Sequence, residues 1–183
     1  SQLTYAGAAN AEATTYIALT TTLSAAAGAV AAMLTAWGLF KKPDVTMALN
    51  GALAGLVGIT ANCDQVTQIG ALSIGLVAGM LVVAGIVLLD RLRIDDPVGA
   101  WPVHGLCGVW GGIATGIFGM NIPETVFGTM EGTRGSYILV QAAATGVVCV
   151  WAFATMFGLF AVLKAAGMLR VSDVHELYYE ACG

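Results

Sequence analysis

A histidine inside a long apolar stretch is the first residue here that could do chemistry. His104 is the only acidic or basic side chain within the predicted membrane spans, a third to halfway along its span. Burying such a group in lipid is costly, so it usually has a function there. Its neutral form is expected and can both donate and accept a hydrogen bond. This indicates a pore for a small neutral molecule or a proton relay; the alternative is a structural histidine bonded to a helix carbonyl.

The other reactive residue types give no sign of metal, haem or nucleophilic chemistry. The cysteines form no CxxC or Cys/His cluster and are better suited to core packing. They are Cys63, Cys107, Cys149 and Cys182. The second histidine, His175, lies in a polar tail, so bis-histidine haem ligation at membrane depth is excluded. We predict no enzyme activity, no metal and no cofactor.

The composition indicates a protein that crosses a membrane several times. Of 183 residues, 58% are hydrophobic and 10% charged, and the mean hydropathy is +0.83. Seven scattered Lys and Arg residues and a net charge of −4 exclude a nucleic-acid surface. Five apolar stretches approach or exceed the ~20 residues that a bilayer requires. They are 13–40, 45–63, 69–89, 98–120 and 136–163. We predict an all-α polytopic fold with five transmembrane helices.

Basic residues predict the orientation of these spans. Six of the seven follow the first, third or fifth span, and Arg134 falls on the opposite side. The six are Lys41, Lys42, Arg91, Arg93, Lys164 and Arg170. Cytoplasmic loops are enriched in Lys and Arg, which places the N-terminus outside and the C-terminus in the cytoplasm. We therefore predict a plasma or inner membrane protein.

The chain is expected to be one transmembrane domain, residues 1–167, followed by a short cytoplasmic tail, 168–183. It begins with Ser1 and its first dozen residues lack the features of a signal peptide. A first span that enters from outside requires an earlier helix, and an odd number of spans is typical of one half of an inverted repeat. We therefore expect an N-terminal half to be missing.

Small and polar residues suggest how the helices pack. Rows of Gly and Ala in the second, third and fourth spans favour close helix–helix approach. Asn50 and Asn62 are interpreted as helix caps or interhelical hydrogen-bond formers. Asp95, Asp96 and Pro97 fit a helix start, with carboxylates near the N-terminal dipole and proline in the first turn.

The sequence Asp-Asp-Pro-Val-Gly-Ala-Trp-Pro-Val-His-Gly-Leu-Cys-Gly-Val-Trp-Gly at 95–111 resembles the ammonium transporter (Amt) family. Residues 48–63 look like the eighth helix of that family, 17–28 like its seventh, and 169–172 like the start of its cytoplasmic tail. The resemblance implies helices seven to eleven of an eleven-helix transporter, which usually assembles as a homotrimer with one pore per subunit.

The resemblance also implies roles for individual residues. His104 matches the second of twin histidines that line a narrow hydrophobic pore for ammonium or ammonia. Ser1 matches the serine of an outer recruitment site, Asp96 belongs to an acidic pair at the cytoplasmic end, and Ala100 and Trp101 lie near the inner pore wall. The first pore histidine and the phenylalanine gate belong to the absent helices. The tail departs from its relatives after Ser172, although a PII-type regulator could bind there.

Two other functions compete with ammonium transport. A passive Rh-type channel for ammonia or carbon dioxide fits less well, because the string at 95–105 is Amt-like. A non-transporting ammonium sensor or interaction module would be expected to carry a large signalling domain, which a sixteen-residue tail does not supply.

Overall fold

Apolar helices make up most of the chain in this computed structural model, which describes residues 8–126 and 130–168. The elements are α1 (Ala8–Phe40), α2 (Val45–Thr60), α3 (Gln68–Leu92), a π-helical segment (Trp101–Leu106) that continues into α4 (Cys107–Phe118), β1 (Thr125–Val126), β2 (Met130–Glu131) and α5 (Arg134–Ala165). β1 and β2 form a short antiparallel hairpin between α4 and α5. The predicted all-α membrane-protein class is confirmed.

Three of the described helices are long and apolar enough to cross a bilayer. They are Ala11–Phe40 within α1, Gln68–Leu92 and Arg134–Ala165. The helix Val45–Thr60 is also apolar but shorter, with 16 residues. The predicted fourth span, 98–120, contains the π-helical segment and α4, which together run from Trp101 to Phe118. Each predicted span therefore coincides with a helical element.

α1, α2 and α3 cross at small residues; the sequence analysis predicted such close approach for the second and third spans, which are α2 and α3. A methyl group on Gly51 would lie 2.5 Å from the carbonyl oxygen of Gly28, and one on Gly75 would overlap the Ser24 carbonyl oxygen. The Ser24 hydroxyl donates a hydrogen bond to the Gly55 carbonyl across the interface, at 2.8 Å. Backbones this close leave no room for larger side chains, so the glycines set the spacing of the three helices.

Polar side chains fix where the helices begin. Asp44 caps α2 by accepting a hydrogen bond from the Met47 N–H, and Thr67 caps α3 in the same way through Gly70. α3 ends at Arg93, which adopts a left-handed conformation with φ 57°. Caps of this kind satisfy backbone groups that a helix end leaves without partners.

Helix directions bring several basic residues to one end of the first unit. Position 28 in α1 packs against 51 in α2 and 79 in α3, and position 24 packs against 55 and 75. α1 and α3 therefore run parallel and α2 runs antiparallel. Lys41 and Lys42, after α1, share an end with Arg91 and Arg93, at the end of α3. This end is called the basic end below.

The opposite end is held by hydrogen bonds to the loop that follows α2. The Tyr16 hydroxyl donates to the Val66 carbonyl at 2.8 Å, and the Thr20 hydroxyl donates to the Cys63 carbonyl at 2.7 Å. Arg134, at the start of α5, donates to the carbonyl of Gly119 at 2.6 Å, just beyond the end of α4. A cation at the C-terminal end of a helix is favourable, so Arg134 stabilises this end of α4.

The chain divides into two compact units, the first ending at Thr145 and the second beginning at Gly146. In the first unit, one apolar cluster includes Ala78, Val82 and Cys107, and another includes Ile59 and Ile74. The second unit contains the remainder of α5, whose side chains are almost all exposed. The predicted boundary between a 1–167 domain and a 168–183 tail stays a prediction.

Candidate functional site

The helical segment that carries His104 begins with a turn fixed by Asp96. One carboxylate oxygen of Asp96 accepts the Ala100 N–H and the other accepts the Trp101 N–H, both at 2.9 Å. Gly99, between them, has φ 69°, a conformation that favours glycine. The carboxylate thus caps the first amides of the segment, as its position near a helix start predicted.

This start differs in one respect from the sequence interpretation. The helix begins at Trp101, and Pro102 occupies its first turn, whereas Pro97 lies in the turn that precedes it. Proline is tolerated in a first turn because its missing N–H would have no intrahelical partner. The carboxylate of Asp96 therefore caps the amides of Ala100 and Trp101, which are four and five residues farther along the chain.

Asn50 of α2 lies against the same turn. A Cβ on Gly99 would be 3.3 Å from Asn50 Nδ2 and 3.5 Å from Ile86 Cδ1. Asn50 is half-buried, and the turn reaches it closely because residue 99 has no side chain. Asn50 and Asp96 thus both contact the turn around Gly99, Asn50 by packing and Asp96 through hydrogen bonds to the two residues that follow it.

A π-helical turn carries the candidate residues themselves. Trp101–Leu106 has π-helical geometry, and the Cys107 N–H donates to the carbonyls of both Pro102 and His104. A π turn contains more residues per turn than an α-helix and often occurs at functional sites. It therefore changes the direction in which side chains project from an otherwise continuous helix.

Within this turn, the imidazole of His104 lies on an open face. Val103 and Cys107 are buried, whereas Ala100, Trp101 and His104 are exposed. Over the described ranges 8–126 and 130–168, neither ring nitrogen of His104 has a protein hydrogen-bond partner. Within these ranges the imidazole makes no hydrogen bond to a helix carbonyl.

The predicted site residues divide into three groups. Ala100, Trp101 and His104 share the open face, while Asp96 and Asn50 support the turn below it. Ser1 lies outside the described residues. Among the described side chains, no group of three His, Cys, Asp or Glu residues is arranged to hold a metal ion.

Sequence reasoning missed the contact between Trp101 and Gly105. A Cβ on Gly105 would be 3.0 Å from Trp101 Cδ1 and 3.1 Å from Nε1, so the indole lies directly over this glycine. Gly105 lacks a positive φ, and its role is therefore steric. The four-residue spacing was a signal, because positions i and i+4 are neighbours on a helical surface.

A second polar cluster lies at the end of the first unit away from the basic end. The Asn62 amide is fully buried and donates to the Gly111 carbonyl at 3.2 Å and to Thr115 Oγ1 at 3.1 Å. Thr115 donates in turn to the Gly111 carbonyl at 3.0 Å. The sequence analysis predicts a cap or an interhelical hydrogen bond for Asn62, and the structure shows hydrogen bonds from this loop residue that join the α2–α3 loop to α4.

Comparison with known proteins gives one consistent family. The sequence model of the Ammonium Transporter Family matches residues 2–179. A Synechocystis sp. protein assigned to the ammonium transporters is 51% identical over 178 residues, covering 96% of this chain and 38% of the relative. Ammonium transporter Amt2 of Archaeoglobus fulgidus is 45% identical over 168 residues, covering 88% of this chain and 36% of the relative.

Solved structures agree with the sequence matches. A structure described as a sensor Amt protein has a TM-score of 0.79 and 32% identity, covering 87% of this chain and 39% of that one. The crystal structure of Candida albicans Mep2 has a TM-score of 0.77 and 26% identity, covering 88% and 37%. The chain thus spans well under half the length of the proteins it matches.

Proposed function

Because the chain belongs to the Ammonium Transporter Family, we propose that it forms the second part of a longer protein that moves ammonium or ammonia across a membrane. Its apolar helices make it a multi-pass membrane protein. The observation that carries the proposal is the exposed His104 imidazole, which makes no hydrogen bond to the described protein. In the complete transporter this imidazole lines a narrow hydrophobic pore.

The chemistry of the substrate suits such a group. Ammonium is a cation and loses much hydration free energy on entering an apolar segment, whereas ammonia needs only a few hydrogen-bond partners. A neutral imidazole offers one donor and one acceptor without adding a buried charge. The same dehydration penalty would exclude sodium and potassium ions from this segment.

The neighbouring residues have supporting roles in this proposal. Ala100 and Trp101 contribute to the pore wall on the same open face as His104. Asp96 holds the turn through its two hydrogen bonds to backbone amides, and Asn50 packs against Gly99 beneath it. We assign Ser1 to an outer recruitment site on the resemblance described above.

Orientation and assembly are part of the same proposal. We assign the basic end to the cytoplasm, because Lys and Arg concentrate on that side of membrane proteins. The C-terminus then lies in the cytoplasm, and the protein belongs to the plasma or inner membrane. We also propose that an N-terminal half precedes these residues in the complete transporter. The complete transporter then assembles as a homotrimer, and a PII-type regulator binds its tail from residue 168 onward.

The test replaces His104 by Ala and by Leu in the full-length transporter, reconstituted in lipid vesicles. We expect a changed ammonium flux or reduced discrimination against potassium, with trimer assembly unchanged. The matched control is His175→Ala, which removes an imidazole from the tail and should transport like the wild type.

Unchanged flux and selectivity in both His104 variants would remove the proposed role of this residue. A wild-type protein that assembles and binds ammonium but transports none would contradict transport and favour the sensor alternative. The Rh-type alternative would be favoured by carbon dioxide flux that depends on His104.

A further inference from the structure

Two tryptophans on one continuous helical segment differ in how their indole N–H groups are used. Trp110 donates its N–H to the Ile74 carbonyl at 3.1 Å and is half-buried among core residues. Trp101 is 48% exposed, and in the part of the chain that the structure describes its N–H has no acceptor. The N–H of Trp110 is therefore used by the fold, and that of Trp101 is available to a ligand.

The position of the Trp101 ring is set by the glycine one turn later. Its Cδ1 and Nε1 atoms are the nearest to a Cβ built on Gly105, at 3.0 and 3.1 Å. Glycine is a poor residue for a helix interior, and a positive φ does not explain its presence here. Any larger side chain would push away the edge of the ring that carries the N–H. Because Gly105 has no side chain, this edge of the Trp101 ring can lie against the helix surface. Gly105 directly follows His104 in the sequence.

We propose that the Trp101 N–H, seated on Gly105, is a substrate-facing hydrogen-bond donor that favours ammonia over ammonium beside His104. An indole nitrogen is only a donor. Ammonia has a lone pair that accepts such a bond, whereas ammonium has none and is repelled by the positive end of the N–H dipole. The inference rests on the proposed function and adds a specificity-determining pair, Trp101 and Gly105, to it.

The test compares two variants of the full-length transporter with the wild type in lipid vesicles supplied with ammonium chloride. Trp101→Phe keeps an aromatic ring without the donor, and Gly105→Ala keeps the donor but displaces it. We expect each to lower the maximal flux roughly fivefold, the effect of losing one hydrogen bond. The KM for ammonium should stay unchanged, because the N–H donor bonds the lone pair of ammonia and does not bind the cation.

The matched control is Trp110→Phe, which removes an indole N–H that the fold uses. It should lower thermal stability while leaving flux per folded protein near the wild-type value. Wild-type flux in Trp101→Phe would overturn the proposal, because Trp101 would then act only as an aromatic residue at the membrane interface. A raised KM with unchanged maximal flux would also overturn it, because it would indicate cation binding on the ring face.

His104→Ala, measured in the same vesicles, separates this inference from the proposed function. If His104→Ala alters transport and Trp101→Phe does not, only the role of the tryptophan fails. If neither variant alters transport, the pore assignment itself fails.

Discussion

The helical segment 101–118 has two parts, the π-helical segment and α4, and their polar side chains differ in hydrogen bonding. In α4, Trp110 and Thr115 donate hydrogen bonds to backbone carbonyls, and Thr115 also accepts one from Asn62. In the π-helical segment, the side chains of Trp101 and His104 are exposed and make no hydrogen bond to any described residue. One part therefore anchors the segment in the fold, and the other presents polar groups at an open face.

Packing density also differs along α4. A methyl group on Gly111 would lie 2.7 Å from the Gly58 carbonyl oxygen, and one on Gly116 would lie 2.7 Å from Ile138 Cα. On Gly108, by contrast, the nearest atom would be 3.9 Å away. α4 is thus packed closely against α2 at Gly111 and against the start of α5 at Gly116, while Gly108, in the first turn of α4 beside the π-helical segment, lies in a looser environment. A rigid base of this kind can hold the histidine in one position.

The largest effect is expected from enlarging Gly111. Gly111→Leu forces α4 away from the backbone of α2 at Gly58, and we expect a loss of at least about 3 kcal/mol, since overpacking alone costs about 1–3 kcal/mol. The measurement is the yield of folded protein and its thermal midpoint in detergent. Gly108→Ala, three residues earlier, is the matched control and should be tolerated.

A wild-type midpoint for Gly111→Leu would contradict the close approach of α2 and α4. A large loss of stability in Gly108→Ala would mean that the first turn of α4 is packed as closely as the helix at Gly111.

A smaller loss is expected from Asn62→Ala. The substitution removes two hydrogen bonds and leaves buried polar atoms with fewer partners, which should lower the free energy of unfolding by about 1–3 kcal/mol. Thermal unfolding monitored by circular dichroism is a suitable measurement. The control is Thr60→Ala, because the Thr60 hydroxyl is exposed and bonds only to its own helix, at Leu56.

Equal midpoints for Asn62→Ala and Thr60→Ala would mean that the buried amide does not hold α4. The anchoring role of the second part of the segment would then be lost.

The smallest expected effect on stability comes from Asp96→Ala, which removes the cap of the π-helical segment. Loss of a cap lowers the free energy of unfolding by about 1 kcal/mol. Because the cap also sets the start of the turn that carries His104, flux per folded protein should fall as well. Asp95→Ala is the control, since the exposed Asp95 does not bond to these amides.

If Asp96→Ala lowered neither stability nor flux, the two hydrogen bonds at 2.9 Å would have no role in holding the turn. If Asp95→Ala had the same effect, the general acidity of this end would matter instead of the cap.

Much of the fold could be predicted because lipid imposes simple rules. Long apolar runs predicted the all-α class, and rows of small residues predicted close crossings, as seen at Gly51 and Gly75. A hydrogen bond from Asn62 to another element could also be anticipated, because a polar residue at the end of an apolar run needs a partner.

The details of the site were harder to predict. The stretch 98–120 is apolar apart from His104 and Thr115, so it has no polar face that would reveal a π turn or the phase of the helix. The displaced start at Trp101 depends on the left-handed conformation of Gly99 and on a capping distance of four to five residues. The contact of the Trp101 ring with Gly105 depends on the side-chain conformation of Trp101, which the sequence does not specify.

The difference between the two parts of the segment is tested most directly by a crossed measurement on two variants of the full-length transporter. Thermal stability and ammonium flux per folded protein are measured for both His104→Ala and Asn62→Ala. We expect His104→Ala to change flux with little change in the thermal midpoint, and Asn62→Ala to lower the midpoint with flux per folded protein preserved. The opposite pattern, with stability lost at His104 and flux lost at Asn62, would contradict the assignment of an open pore face and a structural anchor.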